Sequence, residues 1–192
     1  ARKYDKEIAR VRSQWEKGQA ARGVEHPRPS KHVLRLYRKK RDCIKDYLHK
    51  VTRNVVSYCV EQEIHTVVVG DIRGIREGTD FGRRTNQKLH SLPYEKLYGM
   101  LEYKLAKEGI RFVRQKEYYT SQCPPDSPEV SKEYAREANR RHRGLYTEGK
   151  RIWNADAVGA FNILRKYTAV SGKCIIMPVS GLDQVRVINV AV

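Results

Sequence analysis

Cysteine is scarce in this sequence and is never paired at metal-binding spacing. Its four copies, Cys43, Cys59, Cys123 and Cys174, include no C-x-x-C, which argues against a zinc knuckle and against a disulfide framework. Cys43 and Cys59 fall on an apolar helical stripe, where buried reduced thiols are expected. Long hydrophobic runs are missing too. None approaches the roughly 20 residues needed to cross a bilayer, so no membrane partner is expected. The chain opens with no signal-peptide pattern, which points to an intracellular location, cytoplasmic or, in a eukaryote, nuclear. It also opens without Met: ARKYDKEIARVRSQWEK starts inside a charged helical pattern, as an internal piece of a longer protein would.

Acidic charge is in short supply. Lys and Arg total 39 against 22 Asp and Glu, for a formal charge of +17 and a pI near 9.9. The excess is spread along the chain. A solvated, positively biased surface is the plain explanation. Contact with a polyanion is the favoured one, because neutralising phosphates releases counterions.

What is present has a clear order. Ile8, Val11 and Trp15 recur at helical spacing over residues 4–18, and a basic Pro- and Gly-bearing loop follows to Ser30, a plausible N-cap. Val33, Tyr37, Ile44, Leu48, Val51, Val55 and Cys59 then mark a long amphipathic helix, so that a helical hairpin spans residues 1–65. The run TVVVGD at 66–71 reads as a buried strand. Residues 72–91 form a polar loop of functional character. A helix over 93–108, between Pro93 and Gly109, buries Leu97, Met100, Leu101 and Leu105. A second strand lies within 110–119, a charged surface helix over 128–141, and a strand end runs into a helix over 151–167 with Val158, Phe161, Ile163 and Leu164. The tail after Gly172 suggests short edge strands. The class is α/β, with a sheet too thin for its helices.

In such proteins functional acids sit at strand ends and in the loops after them. Asp71, Glu117 and Asp156 meet that description. By residue type each could equally be a cap, a turn or a surface group, and Asp156 would favour the positive end of its helix in any case. Grouped in a basic protein, such acids suit hard cations. Two Mg²⁺ ions roughly 3.5–4 Å apart can clamp a scissile phosphate.

Several ordered stretches carry a resemblance: KYDKEIARVRSQW, RDCIKDYLHK, the loop after Asp71 with 85-TNQKLHSLPYEKLYGMLEYK-104, 119-YTSQC-123 and 154-NADAVGAFNIL-164. Together they resemble the transposon-encoded OrfB/TnpB family, RuvC-like nucleases guided by RNA and related to type V CRISPR effectors. The resemblance implies an RNase H-like fold with three carboxylates on Mg²⁺ or Mn²⁺, DNA and guide RNA as partners, and DNA cleavage at guide-specified sites. Asp156 matches the family's third acid, with Asn162 kept and Val158-Gly159-Ala160 departing from the pattern. The family's second acid, a Glu before an Asp on the middle strand, is replaced here by Gly70-Asp71. Glu117, before Tyr-Thr-Ser-Gln, matches a rearranged form of the site, and we favour it over Asp71. The first acid, on an opening strand, has no counterpart in this chain.

The resemblance also places a zinc ribbon at 123–150, where this sequence offers Cys123-Pro-Pro-Asp126 and His142. That set cannot complete a tetrahedral site, so no zinc is expected and the insert is read as degenerate. Core strands and helix occupy 66–122, and the last acid, helix and tail 151–192. Phosphate contacts fall to Arg83, Arg84, Asn86, Gln87 and Lys88, and to Arg136, Arg140, Arg141 and Arg143, with solvated surface as the alternative. Tyr118 and Tyr119 could stack on bases or pack in the core. The expected function is metal-dependent endonucleolytic cleavage by the complete protein. A nuclease-inactive nucleic-acid-binding module is the alternative, and unpaired strand edges would allow a homodimer.

Overall fold

The computed structural model describes residues 2–71, 93–140, 144–172 and 181–183. The chain divides into two compact units, residues 1–57 and residues 58–189.

The first unit is the helical hairpin, α1 (Arg2–Ala20) followed by α2 (Lys31–Glu61), whose last residues enter the second unit. Ser30 caps α2, its Oγ accepting from the Val33 N–H at 3.2 Å, a cap worth about 1 kcal/mol. The helices run antiparallel: Lys40 Nζ reaches Asp5 Oδ1, and the Trp15 indole donates to the Arg28 carbonyl at 2.9 Å. The buried face of α2 is Val33, Leu36, Leu48, Thr52, Val56 and Cys59, while Tyr37 and Val55 are exposed. This differs from the sequence expectation because Thr52, a polar residue, sits in the stripe. Its hydroxyl donates to the Leu48 carbonyl at 2.8 Å, so burial leaves it satisfied.

The second unit begins with a βαβ element: β1 (Thr66–Asp71), α3 (Tyr94–Lys107) and β2 (Arg111–Lys116). The strands pair in parallel, with Thr66 opposite Arg111 and Asp71 opposite Lys116. Parallel strands need a crossover, and α3 lies on it, burying Tyr98, Leu101 and Leu105. Gly109, at φ +69°, turns the chain out of α3 in the left-handed conformation that glycine adopts without strain.

The insert departs from expectation. No α-helix forms over 128–140, only the 3-10 turn Glu137–Arg140. Beyond it lies an antiparallel hairpin, β3 (Leu145–Glu148) and β4 (Arg151–Asn154). Here the charged pattern lacks the apolar stripe that holds a helix on a core, and Tyr146 is buried by the hairpin instead. Its ring and that of its cross-strand partner Trp153 lie 6.1 Å apart, and both pack with Ala155 and Val158. α4 (Ala155–Ser171) follows β4 directly and packs on both β1 and β2. The polar loop expected at 72–91 and most of the tail lie outside the described residues.

Candidate active site

Parallel register brings the ends of β1 and β2 level, so Glu117, one residue past β2, stands beside Gly70-Asp71. The Glu117 side chain folds back over Gly70. A Cβ on residue 70 would lie 1.4 Å from Glu117 Oε1 and 2.3 Å from its Cδ. The carboxylate thus fills the space that any side chain at position 70 would need. From α3, the buried Tyr98 hydroxyl donates to the Gly70 carbonyl at 2.7 Å and fixes this strand end. Burial, helped by the negative charges of Glu117 and Asp71, pushes the Tyr98 hydroxyl up to about 12, so it remains a donor. The Arg114 guanidinium lies 4.9 Å from the centre of the Tyr98 ring and is itself held by Glu95 at 3.0 Å.

Glu117 is half-buried, and its carboxyl is raised above the ordinary value by burial and by the charge of Asp71. Among the described residues no basic side chain pulls Glu117 back down. Behind it the chain turns at once. The Glu117 carbonyl accepts from the Thr120 N–H at 3.1 Å and from the Thr120 hydroxyl at 2.8 Å.

Asp156 occupies the first turn of α4 and is exposed. Asn154 caps that helix, its Oδ1 accepting from the N–H groups of Asp156 and Ala157, both at 3.0 Å. Two turns along, the buried Asn162 amide donates to the carbonyls of Thr120 at 2.9 Å and Cys123 at 2.8 Å. Arg165 holds Asn162 Oδ1 at 2.9 Å and the Pro124 carbonyl at 3.2 Å. The helix that carries Asp156 is therefore tied to the turn that follows Glu117.

Two family models match consecutive parts of the sequence: OrfB_IS605, a probable transposase, over residues 1–76, and the Cas12f1-like TNB domain over residues 94–163. Over these two stretches the chain is similar to OrfB transposases and to the Cas12f1-like TNB domain. No curated protein matches it. Among solved structures, the cryo-EM structure of a Cas12f1–sgRNA–target DNA complex shares its fold, with a TM-score of 0.58 at 18% identity. The likeness covers 83% of this chain but only 40% of the Cas12f1 chain.

In this chain, then, Asp71 and Glu117 come together at one strand end, and Asp156 lies on the helix braced against it. Among the described residues no three His, Cys, Asp or Glu side chains form a group that could hold a metal ion. The oxygen donors of Asp71 and Glu117 still suit a hard cation. Arg136 and Arg140 are exposed, whereas Arg83, Arg84, Asn86, Gln87, Lys88, Arg141 and Arg143 lie outside the described residues. Cys123 is fully buried, its Sγ donating to the Ser131 carbonyl at 3.2 Å, and burial raises its thiol away from the thiolate a metal needs. Three residues on, Asp126 pairs with Arg151 at 2.8 Å. Among the described residues no helix is long and apolar enough to cross a membrane.

Sequence reasoning missed Tyr98 and Arg165. Tyr98 sits within a helical apolar stripe and reads as core. Arg165 reads as surface charge, and only the fold brings it to the carbonyls of residues 124–127.

Proposed function

We propose that this chain is the catalytic-side portion of an RNase H-like, RuvC-type endonuclease that hydrolyses DNA phosphodiesters under RNA guidance. The observation that carries this reading is the Glu117 carboxylate seated in the side-chain space of Gly70. The family's usual glutamate belongs at position 70, so the rearranged acid delivers its charge to the same strand end. Glu117 and Asp156 would hold Mg²⁺ or Mn²⁺, with Asp71 beside them and a further acid supplied from outside this chain. Bound there, the cation would activate water and neutralise charge developing on the phosphate. The chain's own residues set the stage for that chemistry. Tyr98 fixes the Gly70 carbonyl, Asn162 couples the Glu117 turn to α4, and Asn154 aims the first turn of α4. The chain's positive charge, Arg136 and Arg140 included, would draw in DNA and guide RNA, the partner classes present in the Cas12f1 complex.

A second reading has an observation of its own. Because no three-group metal cluster occurs among the described residues, the chain by itself could be a nucleic-acid-binding module without cleavage. Mg²⁺-dependent cleavage of single-stranded DNA by the chain, joined to the segment that supplies the further acid, separates the two. On the nuclease reading, cleavage occurs and is lost in both Glu117→Ala and Asp156→Ala. Salt-sensitive binding without cleavage, or cleavage indifferent to both substitutions, overturns that assignment.

A further inference from the structure

Two tyrosines follow Glu117 at once, and the cleavage chemistry uses neither. Among the described residues Tyr118 is the most exposed aromatic, at 68%. It is also rigidly presented. Glu117–Thr120 is a closed turn whose third residue, Tyr119, has φ +65°, a left-handed conformation that costs a non-glycine residue about 1 kcal/mol. The Tyr119 carbonyl then accepts from the N–H groups of Gln122 and Cys123, both at 3.0 Å. Asn162 locks the next carbonyl, that of Thr120. From α4, Lys166 donates to the Tyr118 carbonyl at 3.0 Å, and its ammonium lies 5.8 Å from the centre of the Tyr118 ring.

An apolar ring held in water by a strained turn whose carbonyls are all bonded calls for a ligand that covers it. The cation over one face of the ring, with the other face open to a base, narrows the choice. A flat π-face stacks on a tyrosine, and an ammonium with N–H groups to spare binds a phosphate oxygen. A nucleotide carries both at about this separation, but only an unpaired one can offer its base face.

We infer that Tyr118 and Lys166 form a platform for one unpaired nucleotide of a nucleic-acid strand, its base on the tyrosine ring and its phosphate on the lysine. The platform adjoins Glu117, so the captured nucleotide would sit next to the bond to be cut. That role rests on the nuclease reading above, whereas the binding itself does not.

The test is run in EDTA, where cleavage plays no part. The full chain is titrated into a short single-stranded deoxyoligonucleotide carrying the fluorescent base 2-aminopurine, which dims when stacked. Saturable quenching is expected. Tyr118→Leu should remove the quench and weaken binding about tenfold, while Tyr118→Phe keeps both. Lys166→Gln should keep the quench and reduce the salt slope of binding by about one. An oligoribonucleotide of the same sequence shows whether the platform takes DNA, RNA or either. Circular dichroism of Tyr118→Leu checks that the chain is still folded. An undiminished quench in folded Tyr118→Leu, or equal quenching of a blunt duplex, overturns the proposal. Failure of the nuclease reading would appear only in the Mg²⁺ assay and would leave these titrations as they are.

Discussion

Carboxylates face one another at two places in the second unit, and the two places are built differently. In the hairpin insert, Glu148 is raised by burial and by Asp126, but Arg151 and Arg136 pull it back, and Arg151 bonds Asp126 directly. At the strand ends, Glu117 is raised by burial and by Asp71, with no such opposition among the described residues. In a chain with 39 Lys and Arg, a basic neighbour is easy to supply. The insert's acids are balanced in place, as structural ion pairs are. Glu117 is held in a position that a bound cation would relieve.

The sharpest way to break this contrast is to fill the space over Gly70. Gly70→Ala places a methyl group where the Glu117 carboxylate lies. The clash falls on a side chain rather than on backbone, so the fold should survive while Glu117 is displaced. Cleavage should drop about a hundredfold, the scale expected when a catalytic group moves by about an ångström. Gly70→Glu combined with Glu117→Ala returns a carboxylate to the same space and should recover most of the loss. Cleavage assays beside thermal melts would decide it: wild-type rates in folded Gly70→Ala would remove Glu117 from the site.

The next prediction weighs the two regions as structure. Asn162→Ala strips the donors from two carbonyls and leaves Arg165 one acceptor fewer. In a buried setting that should cost about 3 kcal/mol in urea denaturation. Arg151→Ala removes an exposed ion pair from the insert and should cost about 1 kcal/mol or less. If the order were reversed, the insert and not the α4 tie would organise the unit.

These contrasts were unevenly legible in the sequence. β1 was readable to the residue, because a β-branched run ending in Gly-Asp has few other solutions. α3 and α4 were readable from their spacing. The hairpin was not, since Tyr146 and Trp153 become an apolar pair only across strands, and four-residue strands show too little alternation to register. Residue types could nominate Glu117 and Asp71, but they could not show that one carboxylate occupies the other strand's missing side chain. That fact belongs to the parallel register. Lys166 beside Tyr118 likewise joins residues 48 apart in sequence.

The smallest effect tests the electrostatics directly. Glu117 has its folded value above the ordinary 4.5, so the folded state holds this proton more tightly than the unfolded chain does. Its favourable contribution is complete below the unfolded value and is lost as pH rises through the raised one. Glu117→Gln keeps the neutral form at every pH. Its melting midpoint should exceed that of the unsubstituted chain at pH 8, and the gap should close near pH 4. Mg²⁺ at pH 8 should raise the midpoint of the unsubstituted chain and leave Glu117→Gln nearly unmoved, because a ligand that binds only the folded state stabilises it. The opposite sign, Glu117→Gln melting lower at pH 8, would mean that a basic partner already balances Glu117. The strand-end acids would then be of the same kind as those of the insert.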